Sequence, residues 1–439
     1  MFFTKENILK HTKILLVLLT FHFILTTFIR FQLWSDMWLN FLNSDIINLW
    51  KDIYLVFIYF IIIWYFLKNK TYVDKKLFLS FIIVFTISCI VSLLHFHGLK
   101  PLIIGIKYDI WFLLPLLLFS LIAINKEDIK KIYDLLINLI KWVIILCLIF
   151  FMIRFTLPNI LFLLWYGPLW DRNNWTSPPM FYQTWLNGVQ RLSGIFSWPN
   201  HMAFYLIAFW PVLLFSILNR KNHILWWILF IWLLFGTLSR SWIFAFMIEF
   251  FLISLFILFY YKKYRKIIYF FYISGTILVF SLWTYLFVSW KYHQIILRWA
   301  STTWHIKKFT KTLNDIIENP INWHWLWTAW PAAHYVKNEI IPESWFLQIF
   351  YELWIIWGFA WFAFLIYSIY LIYTDKKITY NDMDKISILQ VWLSIWVIWL
   401  LVQWLVLHSF EDSMTSLPLF IALWFLLWYK FQKWYKKLK

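Results

Sequence analysis

An all-α membrane helix bundle is the fold class that this sequence predicts, and three observations carry the prediction. The chain of 439 residues is 63% hydrophobic and only 14% charged, with a mean hydropathy of +0.71. That balance leaves a soluble domain too little polar surface to face water. Apolar runs near 20 residues recur along the whole length, each long enough to cross the hydrocarbon core as a helix. Between the runs, lysine and arginine gather in alternate connections, the pattern of loops held on one side of a bilayer.

The runs place about twelve spans in a single transmembrane domain over 1–439. They lie near 12–32, 52–67, 77–96, 109–124, 135–156, 200–218, 223–238, 241–260, 266–289, 345–373, 385–407 and 416–430. The first follows a basic tail, Met1 to Lys13, and is long enough to remain as an anchor rather than a cleaved signal. The two tails and the connections at 68–76, 126–131, 220–221, 262–266 and 376–385 hold most of the 39 basic residues. Both termini are therefore expected on the cytoplasmic side of a cytoplasmic (inner) membrane. The net charge of +18 reports this topology and attraction to membrane lipids, so nucleic acid is not an expected partner. Cys89 and Cys147 both sit in apolar runs, which argues against a disulfide framework or a thiolate metal site.

Two connections on the outer side are long, 157–199 and 290–344, the second a large loop before the tenth span. Long loops on a rigid scaffold are where function tends to sit. In the second, Phe309, Leu313, Ile316 and Ile317 recur at helical spacing beside Lys307, Lys308 and Lys311. Ile306 to Ile317 therefore reads as an amphipathic helix lying along the membrane.

Basic residues at the outer ends of spans are the first chemical signal. Arg191 precedes the outer end of the 200–218 span, and Arg240 sits in the tight turn GTLSRS that begins at Gly236. Lys107 lies beside Asp109 on the same side. A guanidinium held there is costly unless it pairs with an acid or faces an anion, and its planar fork suits a phosphate. The plainer alternative is snorkelling to the headgroups. Glu343 and Ser344 open the tenth span. A carboxylate against an apolar wall serves as a proton acceptor, or else caps the helix N-terminus. His305, His324 and His334 share the long loop without the spacing of a zinc motif, and no metal or cofactor is expected.

Taken in order, these strings resemble the O-antigen ligase and polymerase family. They are RLSGIFSWPN from Arg191, TLSRS from Thr237, NPINWHWLWTAWP from Asn319, and Glu343-Ser344 with Trp354 and Trp357. The motifs cover about 100–358, and the topology covers the whole chain. The resemblance implies about twelve spans and a metal-independent membrane glycosyltransferase. Such an enzyme moves a glycan from an undecaprenyl-diphosphate carrier to a glycan, lipid or protein acceptor on the periplasmic side, in cell-envelope polysaccharide or lipopolysaccharide synthesis. It assigns Arg191 and Arg240 to the lipid diphosphate, with Lys107, Asn200 and Ser344 as further substrate-binding positions. Where the family usually carries His before Ser or Asn, this chain has Glu343. The base is then Glu343 or a loop histidine such as His334. Lys107 also stands where an arginine is commoner.

A third departure is systematic. The chain has 35 Trp and only 8 Gly, whereas ordinary usage of roughly 7% Gly would give about 30. Where the family pattern wants glycine, tryptophan stands instead: Trp198, Trp323, Trp325, Trp327, Trp330, Trp354 and Trp357. Many of these are read here as glycine in the living protein, since some bacteria decode UGA as glycine. Glycine would give the 319–331 loop its φ > 0 turns and close backbone approach. At 354, 357 and 361, beside Gly358, it would make a small-residue packing face. Peptide mass spectrometry of the native protein over 319–331 is expected to show glycine at 323, 325 and 327. Indole masses at those positions would sink the idea.

Overall fold

The computed structural model describes residues 3–28, 50–69, 124–156, 181–183, 190–196, 199–219, 224–239, 246–251, 299–318 and 421–426, with isolated positions elsewhere. About 90% of the described part is helical. The principal helices are α1 (Lys5–Thr20), α2 (His22–Phe28), α3 (Trp50–Asn69), α4 (Lys126–Thr156), α5 (Pro199–Asn219), α6 (Ile224–Gly236) and α7 (Trp299–Glu318). Two short strands, β1 (Phe181–Gln183) and β2 (Gln190–Leu192), pair antiparallel with Tyr182 opposite Arg191. Among the described residues, two helices are long and apolar enough to cross a membrane, Trp50–Asn69 and Lys126–Ile153, and Leu225–Gly236 is apolar but shorter. Within the runs expected at 77–96, 241–260, 266–289, 345–373, 385–407 and 416–430, the described positions are helical.

Helix ends differ from the sequence reading for local reasons. The first run breaks at Phe21 into α1 and α2, and Thr20 Oγ1 bonds back to the Leu16 carbonyl at 2.9 Å beside the break. α4 starts at Lys126, nine residues before the predicted span, because polar residues supply its cap. Asn125 N donates to Asp128 Oδ2 and Asp128 N to Asn125 Oδ1, both at 2.9 Å, which satisfies two donors at the helix start reciprocally. The β1–β2 hairpin inside 157–199 lies in a connection for which the sequence predicted no regular element.

The bundle has two well-defined ends. At one, Lys5 Nζ meets Asp128 Oδ2 at 2.6 Å, so α1 and α4 begin side by side and run parallel. α3 returns antiparallel to α1. Phe3 packs on Trp64, His11 Nδ1 meets Tyr54 Oη at 2.8 Å, and Trp50 Nε1 donates to His22 Nδ1 at 3.1 Å. At the other end, Phe23 of α2 stacks on His201 at the start of α5, with ring centroids 5.9 Å apart. A rise of about 1.5 Å per residue from Asp128 to Cys147 of α4 separates these ends by roughly 28 Å, close to the hydrocarbon thickness of a bilayer.

The core is aromatic and aliphatic around α5, which is buried from Met202 to Leu214. Trp392 Nε1 donates to the Ala208 carbonyl at 2.7 Å. Among the described residues, a carboxyl lies fully buried in this apolar setting: Glu249 accepts a hydrogen bond from Trp210 Nε1, whose indole packs on Phe246 and Phe250. An acid at such depth is costly unless bonded. Trp210→Phe keeps an aromatic ring but removes the donor, which costs about 1–3 kcal/mol. The variant is expected to lower the apparent melting temperature in detergent by a few degrees. Adding Glu249→Leu should recover most of the loss, and no recovery would show that packing alone was at stake.

Candidate functional site

Three pieces of chain meet at the end of the bundle opposite the Lys5–Asp128 pair: β2, the start of α5 and the end of α6. β2 leaves into a turn at Ser193–Phe196, closed by Phe196 N to Ser193 O at 3.0 Å. Gly194 takes φ +56° there, a region that costs a residue with a Cβ about 1 kcal/mol or more. A Cβ on it would also lie 2.5 Å from Cys147 Sγ, so the turn rests directly on α4. Pro199 then opens α5 at the first helical position, where its missing N–H costs nothing. On the other side, Gly236 closes α6 with Leu192 of β2 against it, and a Cβ there would sit 2.2 Å from Leu192 Cδ1. Two of the chain's 8 glycines thus hold β2 against two helices.

Arg191 sits at the centre and is only 5% exposed. Its Nε donates to the Thr237 carbonyl and its Nη2 to Asn200 Oδ1, each at 2.8 Å. The same Asn200 oxygen accepts from Ser239 Oγ at 3.0 Å. Because a guanidinium only donates, the Asn200 atom that faces it is the carbonyl oxygen. Arg191 also places a positive charge on the carbonyl end of α6, where the helix dipole favours a cation.

The turn after α6 is strained and over-determined. Leu238 has φ +47°, unusual for a branched side chain. Thr237 N and Leu238 N bond back to the Leu234 and Phe235 carbonyls at 3.2 and 3.0 Å. Thr237 Oγ1 donates to Leu234 O at 2.7 Å, and Ser239 N approaches Thr237 Oγ1 at 3.3 Å. Together with Arg191 these contacts hold a conformation that the residue types alone would not choose.

Of the residues that the sequence singled out, Arg191 and Asn200 are therefore in direct contact. Lys107, Arg240, His334, Glu343 and Ser344 lie outside the described residues, as do Trp198 and the tryptophans of 319–331 and 354–357. The sequence reading passed over Thr237 and Ser239, whose carbonyl and hydroxyl join the Arg191 cluster. Their signal is the string TLSRS itself, in which Arg240 carries the only charge. Chemically, a buried guanidinium, a serine hydroxyl and the first turn of α5 converge, which suits an anion. No family model, curated protein or solved structure matches the chain.

Gly194→Ala is expected to cost about 1–3 kcal/mol, from the positive φ and the Cys147 contact together. Thermal unfolding in detergent would read the loss. Stability equal to the parent would mean that the turn relaxes freely.

Proposed function

We propose that the chain is a membrane glycosyltransferase of O-antigen ligase type. It would transfer a glycan from an undecaprenyl-diphosphate carrier to an acceptor on the periplasmic side of the inner membrane. The observation that carries this reading is the meeting of two motifs 46 residues apart: Arg191 bonds the Thr237 carbonyl, and Asn200 joins it to Ser239. Arg240 follows Ser239 directly in the chain. This supports two arginines working at one locus, as a diphosphate clamp requires. The cluster stands about one bilayer thickness from the Lys5–Asp128 end, where Lys5, Lys126, Lys130 and Lys131 gather. By the excess of basic residues in cytoplasmic loops, that supports an outer position for the cluster.

In this mechanism an acceptor hydroxyl attacks the anomeric carbon of the carrier-linked sugar. Glu343 or His334 takes the hydroxyl proton, and the bond to the diphosphate breaks with its electron pair leaving on the phosphate oxygen. Arg191 and Arg240 offset the charge that develops there. Lys107 and Ser344 complete the donor site, and no metal or cofactor is needed. A polymerase of the same family uses the same donor chemistry with a growing glycan chain as acceptor. A transporter of lipid-linked glycan is the reading from another class. It would start from the buried Glu249, whose bonded partner is the indole of Trp210, itself packed on Phe246 and Phe250.

Arg240→Ala is expected to abolish glycan transfer from undecaprenyl-diphosphate donor in reconstituted membranes, by on the order of 100-fold or more, while the protein still inserts. Arg191→Lys keeps the charge but cannot reach both acceptors at once, and should lose activity together with thermal stability. Full transfer by Arg240→Ala would count against the clamp.

A further inference from the structure

The apolar arc of α7 is covered by protein on one flank only. The sequence grouped Phe309, Leu313, Ile316 and Ile317 as a single stripe. In the fold, Ile316 and Thr312 are buried and Phe309 packs against the core, with Thr312 Oγ1 bonded to the Lys308 carbonyl at 3.1 Å. These residues dock the helix on the protein. Ile306, Leu313 and Ile317 point elsewhere and are 59%, 37% and 64% exposed. At about 100° per residue these three fall within roughly 40° of one another, a stripe centred about 90° round from the docked side.

Exposed Lys307 and Lys311 lie about 100° and 140° round from the centre of that stripe. Exposed Thr303, Thr310 and Asn314 fill the arc between. Glu318, at the C-terminal end of the lysine side, is the acidic residue of that arc. Aliphatic side chains bordered by protein on one side and by lysines on the other suit a helix lying in a headgroup layer beside the bundle. Three aliphatic side chains fall well short of the roughly 800 Å² per partner that a stable protein interface buries. A lipid leaflet, by contrast, borders every membrane-spanning chain and sets no minimum area.

We propose that α7 lies on an anionic lipid leaflet, with Ile306, Leu313 and Ile317 in the acyl boundary and Lys307 and Lys311 on the lipid phosphates. The inference rests on the geometry of α7 and not on the glycan-transfer reading, so either can fail alone.

Spin labels test it in the full chain, in a Cys89→Ala background with buried Cys147 left in place. Ile306→Cys, Leu313→Cys, Ile317→Cys and Asn314→Cys are labelled separately in nanodiscs of phosphatidylglycerol or of phosphatidylcholine. Power saturation should give labels at 306, 313 and 317 high oxygen and low nickel-complex accessibility in phosphatidylglycerol, with the label at 314 reversed. Equal nickel accessibility at 313 and 314 would overturn the proposal. Dipolar broadening between labels would do so too, since a second copy of the chain would then cover the stripe. Lys307→Gln with Lys311→Gln should make insertion shallower in phosphatidylglycerol and leave phosphatidylcholine unchanged. Insertion that ignores both the lysines and the lipid charge would overturn the headgroup contact.

Discussion

The guanidinium of Arg191 ties together three segments that the chain connects only distantly. It belongs to β2, bonds the carbonyl that ends α6, and holds the side chain that starts α5. The turn after α6 carries a leucine at positive φ, and such a conformation persists only where its surroundings insist on it. Arg191 is part of that insistence, because its bond to Thr237 fixes the peptide just before Leu238. Once the turn is set, Ser239 reaches Asn200 and the start of α5 is brought against the end of α6. The two glycines matter for the same reason: Gly194 lets β2 rest on α4, and Gly236 lets it rest on α6. A buried charge is expensive unless it is bonded, so the arginine and the contacts around it stand or fall together.

A second constraint is length. α4 carries an ion pair and a reciprocal cap at one end and the Gly194 contact about 28 Å further on. Among the described residues the ion pair and the Arg191 cluster stand at the two ends, and between them Thr12 bonds to the Ile8 carbonyl, His11 to Tyr54, and Glu249 to Trp210. In an apolar interior the backbone must satisfy itself, which helices do within one segment, and the short hairpin stands beside helix ends.

The predominantly helical character of the described residues was legible because a long apolar run has a signature that survives without alignment. Where that signature was diluted, boundaries were misjudged. α4 was started late because its first turns, KEDIKK, look like a loop, although they are polar only because they lie beyond the apolar layer. α7 was found from its periodicity, but periodicity cannot tell a face that meets protein from one that meets lipid. Arg191 and Asn200 were legible as motif residues, nine apart in the chain. Thr237 was not, because it contributes a backbone carbonyl, and any residue type has one.

By itself the sequence determined that the chain is helical and apolar, where its apolar runs lie, and which ends of them carry charge. Those are one-dimensional properties, set by composition and spacing under the demand that a bilayer makes on backbone polar groups. Tertiary structure decided which ends coincide. That α1 and α4 start together, that α3 runs back along α1, and that Arg191 lands on a carbonyl 46 residues away are matters of packing between distant segments. It also decided what each apolar stripe covers, as the division of α7 into a docked face and an exposed face shows. Spacing along a chain fixes a direction around one helix axis, and only the neighbours of that helix give the direction a partner.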